Sequence, residues 1–183
     1  RNLSLTDMLT GPAEPAPASS RWRKRALPAQ AASGRAFPFI MADIDHFKKV
    51  NDRHGHEAGD EVLRVVAQRF LDCLRVEDIC CRYGGEEFLV MLYDTDVIRA
   101  ALVAERLRKS IAGKPISTRG EEIRVAISLG VTEIVAADYA GTRKCHAEIR
   151  RAVQVSDAFL YKAKKAGRNR VAANLPEEDE GVA

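Results

Sequence analysis

Residues 82–93 read RYGGEEFLVMLY. Phe88 to Leu92 is an apolar run of strand character, and Asp78 to Tyr83 before it is short, mixed and rich in Ile and Cys. Between them stand Gly84, Gly85, Glu86 and Glu87. Glycine accepts positive φ, so a glycine pair between two strands reads as a hairpin turn. The adjacent glutamates are the odd part, because neighbouring carboxylates repel and solubility needs only one. One reading is a solvated, charged hairpin tip, which is common. The other is a site that uses both carboxylates.

The 183 residues fit one domain with a core large enough to fold alone, plus tails. Hydrophobic residues make up 46% and charged residues 30%, a globular profile. A net charge of +3 is too small to imply a nucleic-acid partner. No apolar run approaches the ~20 residues that span a bilayer, and no signal peptide opens the chain. The start on Arg1 suggests a piece of a longer protein. Cys73, Cys80, Cys81 and Cys145 form no CxxC pair and are expected to be reduced and structural, which favours the cytoplasm.

Residues 1–36 are expected to be a Pro/Ala/Ser-rich linker with a divergent first helix, and residues 175–183 an acidic tail. Residues 37–174 alternate in character. Phe37 to Asp43 reads as a strand. Residues 57–74 read as a helix, with Val62, Val66, Phe70 and Leu74 recurring every four positions. The glycine hairpin follows, then a helix over 96–112, a strand over Ile123 to Ile134, a helix over 145–166 and a strand over Asn169 to Ala173. The segment KPISTRGEE is expected to carry a short edge strand. This order predicts an α/β (α+β) fold: a mixed, largely antiparallel sheet with helices on one side.

Residues 43–52 read DIDHFKKVND, so Asp43 and Asp45 sit at the end of the first strand. An EF-hand fails here, because Phe47, Lys48 and His54 occupy its fifth, sixth and twelfth positions. A carboxylate at a strand end and a carboxylate pair at a hairpin suit a hard divalent cation with phosphate ligands. Asp45 is read as a helix-capping or surface residue, and the loop histidines, His46, His54 and His56, as structural.

RYGGEEF resembles the signature of GGDEF domains, the diguanylate cyclases, in its GGEEF form. DIDHFKKVND, GHEAGDEVL, RYGGEEF, SLGV and SDAFLYKAKKAGRNRV fall in that family's order and spacing, and they cover residues 39–172. The resemblance implies a nucleotidyl-cyclase or polymerase-palm-like fold that condenses two GTP into cyclic di-GMP and two pyrophosphates. It implies metal and catalytic roles for Asp43, the Ile44 carbonyl, Glu86 and Glu87, with two Mg²⁺ or Mn²⁺ per site. Asn51 and Asp60 match guanine contacts. Lys48, Lys164 and Arg168 match triphosphate contacts, needed because no GxxxxGK[ST] loop exists. Phe47 is expected as core or pocket wall, and Gly84 and Gly85 beside the substrate.

Arg75 stands nine residues before Gly84 in RVED. The resemblance implies a product-inhibition site of Arg75 and Asp78, completed by Arg106 from the next helix. Catalysis requires a homodimer, because one domain holds one GTP. The fragment alone is expected to be monomeric, and an upstream sensory or regulatory domain to set its local concentration. The expected setting is a cytoplasmic domain of a longer protein, whether or not that protein is membrane-anchored upstream. DMLTG at residues 7–11 departs from the family's DxLTGLxNRR opening. The alternative is a weak or inactive GGDEF domain that serves as a cyclic di-GMP or GTP receptor.

Overall fold

β1 (Phe37–Ile44) is buried along its whole length, as only a central strand covered on both faces can be. Ile40, Ala42 and Ile44 enter one core cluster, while Phe37, Phe39 and Met41 enter another. The strand's period of two separates them. The computed structural model describes residues 37–134 and 142–175, with backbone alone for 134 and 142–149. The expected linker, first helix and most of the acidic tail lie outside the described residues.

β2 (Ile79–Gly84) and β3 (Glu87–Met91) form the glycine hairpin. β6 (Ile127–Ile134) and β7 (Val171–Ala173) complete a sheet ordered β2-β3-β1-β6-β7. All its pairings are antiparallel except β6–β7. The strand expected from Ile123 is shorter, because Ile123 belongs to a separate hairpin of β4 (Ile116–Thr118) and β5 (Glu121–Ile123).

The helices are α1 (Phe47–His54), α2 (His56–Cys73), α3 (Val97–Ala112) and α4 (Thr142–Lys165). They cover both faces of the sheet, not one. Val62, Val66 and Phe70 of α2 and Ala104, Leu107 and Ile111 of α3 fill the first cluster, and Ala152 and Leu160 of α4 fill the second. A Cβ on Gly130 of β6 would overlap the backbone of Ser156 and Leu160, so this glycine sets how closely α4 approaches. Asp96 caps α3 by accepting from Arg99 N at 2.7 Å.

Two arginines bind α2 and α3 reciprocally. Arg69 of α2 donates to the carbonyls of Ser110, Ile111, Lys114 and Pro115, the closest at 2.7 Å. Arg106 of α3 donates to the Cys73 carbonyl at 2.8 Å. Helix C-termini leave such carbonyls without intrahelical partners, and each helix here supplies the other's.

Cys73, Cys80 and Cys81 are free thiols. Burial pushes Cys81 up to about 11 and Cys80 far above the usual thiol range, so neither is a nucleophile. Among the described residues, no helix is long and apolar enough to cross a membrane.

Candidate active site

The sheet register brings the first carboxylate to the hairpin. Asp43 pairs with Glu87 on β3 and with Ser128 on β6. Ile44 N donates to the Glu86 carbonyl at 3.3 Å, which fastens the glycine turn to the end of β1. Arg82 Nε donates to the Gly85 carbonyl at 2.8 Å from outside the turn. A Cβ on Gly84 would lie 3.5 Å from Glu87 Oε2, an ordinary contact, so Gly84 sits directly beside that carboxylate. Ile44 is fully buried, with its side chain in the core.

Burial pushes the Asp43 carboxyl above its ordinary pKa, and Asp45 adds to this; Lys164 and Arg168 oppose it. Lys164 Nζ lies 2.9 Å from Asp43 Oδ2. Glu87 is also raised, first by burial and next by Asp43, with smaller repulsion from Asp157 and Glu86 and relief from Lys164. In both groups burial is the largest cause, and the neighbouring carboxylates add to it.

The reading of Asp45 as a cap or surface residue is corrected. Its side chain is buried at 7% exposure, and no side chain caps α1. Asp45 Oδ1 accepts from Ser128 Oγ at 2.7 Å, and Oδ2 accepts from Asn169 N at 2.9 Å. It therefore ties the end of β1 to β6 and to the turn after α4. The last turn of α4 sets Lys164 against Asp43, and the turn that follows brings the Arg168 charge to act on the same carboxylate.

Asn51 and Asp60 come from consecutive helices joined at Gly55. A Cβ on Gly59 would overlap the Asn51 side chain, so this glycine lets α1 pack against the start of α2. Asn51 is half-buried there, and Asp60, the next residue, is exposed. Phe47 lies in the core and comes close to Gly59, so it backs this corner as a wall. Lys48 is exposed on the first turn of α1. His54 Nδ1 lies 2.7 Å from Glu121 Oε2 and ties α1 to β5, the structural role expected of it.

The RVED segment lies at the far end of α2. Asp78 is buried and accepts from Arg75 N at 2.9 Å and Tyr93 N at 3.1 Å. Both carboxylate oxygens thus serve the backbone. Arg75 is exposed, and Arg106 is exposed nearby, against the Cys73 carbonyl.

Among the described residues, no three His, Cys, Asp or Glu side chains are already gathered to hold a metal ion. The donor chemistry still fits a hard divalent cation: Asp43 and Glu87 face each other in register, and positive charge between them would relieve their repulsion.

This chain belongs to the GGDEF family, described as "Diguanylate cyclase, GGDEF domain", which matches residues 5–170. It is 45% identical over 140 residues to diguanylate cyclase A of Treponema denticola, covering 75% of this chain and 36% of that protein. The GGDEF domain of DgcB from Caulobacter crescentus, solved in complex with c-di-GMP, superposes with a TM-score of 0.69 at 31% identity, covering 81% of this chain and 84% of that one. The active GGEEF domain of a diguanylate cyclase from Vibrio cholerae gives 0.68 at 34% identity, covering 83% and 92%. The chain spans about a third of the length of the curated relatives it matches.

Proposed function

We propose that residues 37–174 are the catalytic unit of a diguanylate cyclase that joins two GTP into cyclic di-GMP and releases two pyrophosphates. The observation that carries this reading is the Asp43–Glu87 pair at the end of β1 and β3, with Lys164 beside it, in a chain of this family. Asp43, the Ile44 carbonyl, Glu86 and Glu87 would hold Mg²⁺ or Mn²⁺, two per site. When bound, the metal supplies the Lewis acidity that activates a ribose 3′-hydroxyl and neutralises the leaving pyrophosphate.

The chain's own residues bind and orient the substrate. Asp60 accepts from guanine N1–H and N2–H₂, and Asn51 completes the base contact from α1. Lys48, Lys164 and Arg168 hold the triphosphate, Lys164 leaving Asp43 for the phosphate as the nucleotide arrives. Gly84 and Gly85 let the α-phosphate approach Glu87. One domain holds one GTP, so two domains meet face to face and each 3′-hydroxyl attacks the α-phosphate held by the other.

Arg75 and Arg106 bind the product, with Asp78 fixing the backbone that presents Arg75. Arginine suits this, since its planar fork pairs with guanine O6 and N7 or with phosphate. The relative that was solved with c-di-GMP supports this part of the reading. The domain works in the cytoplasm under an upstream regulatory segment. Incubating the protein with GTP and Mg²⁺ and separating the products tests the proposal. Cyclic di-GMP and pyrophosphate are expected; bound nucleotide without turnover would favour the receptor.

A further inference from the structure

We propose that Arg108 of α3 is a positioning residue for the triphosphate turn, acting through Asn169. This rests on the cyclase reading of the site. Gly167, Arg168 and Asn169 follow one another at φ values of 114°, 62° and 45°. Two successive non-glycine residues in the left-handed region are costly and persist only where their surroundings hold them. The backbone bond from Arg168 N to the Ala163 carbonyl at 3.1 Å closes the end of α4 but does not reach Asn169.

Two contacts hold Asn169. Asp45 Oδ2 accepts its N–H at 2.9 Å, and Arg108 donates from one terminal nitrogen to Asn169 Oδ1 at 2.7 Å. Arg108 is itself aimed. Its Nε and other terminal nitrogen donate to the two Glu105 oxygens, each at 2.7 Å, which leaves the remaining nitrogen pointing at Asn169. With its side chain 18% exposed, Arg108 is held largely out of solvent. A guanidinium fork can hold Glu105 and Asn169 at once in fixed geometry; a lysine ammonium is a flexible point charge. Asn169 is thus gripped from the sheet side by Asp45 and from α3 by Arg108. Between this grip and the end of α4, next to Asn169, stands Arg168, which the cyclase reading sets on the triphosphate.

The test compares Arg108→Met, Arg108→Lys and Asn169→Gly with an Arg99→Met control from the same helix. Glycine at 169 keeps the positive φ and the N–H to Asp45 while removing the amide that Arg108 grips. Each variant is titrated with GTP and GMP by competition against a fluorescent GTP analogue, alongside steady-state kinetics and thermal melts. Misplacing one phosphate-binding cation should weaken GTP binding and raise KM by about tenfold. GMP binding and kcat should change by less than about twofold, since the base contacts and metal carboxylates stay in place. Arg108→Lys should behave like Arg108→Met, and Arg99→Met like the parent. The Arg108→Met/Asn169→Gly pair should be no weaker than either single variant, because both break one path. Unchanged GTP affinity, equal loss of GTP and GMP, or additive effects would each overturn the proposal. If Arg108→Met does not fold, Asn169→Gly alone decides by the same criteria. Failure of the parent to bind GTP would instead remove the cyclase reading, and this inference with it.

Discussion

Lys164 Nζ rests 2.9 Å from Asp43 Oδ2, so the cation proposed for the phosphates stands against a carboxylate proposed for the metal. Without nucleotide the site neutralises part of its own charge. Glu87, opposite Asp43, is raised by burial and by the Asp43 charge, and Lys164 offsets only part of this.

Glu87→Gln should abolish cyclic di-GMP formation and leave the fold intact. The same variant should melt higher than the parent at neutral pH in the absence of metal. An acid whose folded-state pKa lies above its unfolded value stabilises the fold while protonated, and that contribution is lost as pH rises through the folded pKa. The gain of the glutamine variant should therefore vanish below the ordinary carboxylate range. Melting curves at neutral and acidic pH check the sign, and normal turnover by the folded variant would remove Glu87 from the chemistry.

Asp60→Ala should reduce the preference for GTP over ATP more than it reduces stability. A carboxylate reading two guanine N–H groups contributes roughly 1–3 kcal/mol of discrimination. Asp60 is exposed, so its loss should open no core cavity. Competition between the two nucleotides measures the ratio directly, and an unchanged ratio would refute the base-reading role.

Arg75 and Asp78 should separate genetically. Arg75→Ala should lower cyclic di-GMP affinity and relieve product inhibition with basal activity unchanged. Asp78→Ala should destabilise the whole domain by about 1–3 kcal/mol, because two backbone N–H groups lose a buried acceptor. Calorimetric titration of the first and urea unfolding of the second test the division. Equal stability losses in both variants would contradict it.

Arg69→Met should also destabilise strongly, since one guanidinium serves four carbonyls at the end of α3. Arg69→Lys should recover little of the loss, because an ammonium lacks the fork. A lysine variant as stable as the parent in urea would show that charge alone suffices.

Specific activity should rise with protein concentration, because the proposed reaction needs two domains and this chain is expected to associate weakly. Activity per molecule across a dilution series checks this, and a constant value would mean that one domain turns over alone.

Much of this arrangement was legible in the chain. The glycine hairpin and the central strand follow from a glycine pair and apolar runs, the longer helices from period-four patterns, and the carboxylate and lysine positions from motifs read in register. α1 was not anticipated: its sequence FKKVNDRH buries only Phe47 and Val50, too few for a periodic signal. Helices on both faces escaped notice because the buried strands read as near-continuous apolar runs, which do not say how many layers cover them. The work of Asp45 was hidden for another reason. Its partners are a serine and a backbone amide far along the chain, and neither carries a recognisable pattern. The second aspartate of D-x-D is the one available clue, and by itself it points equally to an ordinary surface carboxylate.

Asp45 closes contacts across 83 and 124 residues of chain, to Ser128 and Asn169. The glycine hairpin and β1 can form early in synthesis, but the phosphate turn and its contact with Asp45 come only 124 residues later. Loop closure over such distances is slow and yields its gain late. A nascent or C-terminally clipped chain would thus display its carboxylates with no clamp for the triphosphate. On the proposed function, the order of assembly itself would withhold cyclic di-GMP synthesis from an unfinished molecule.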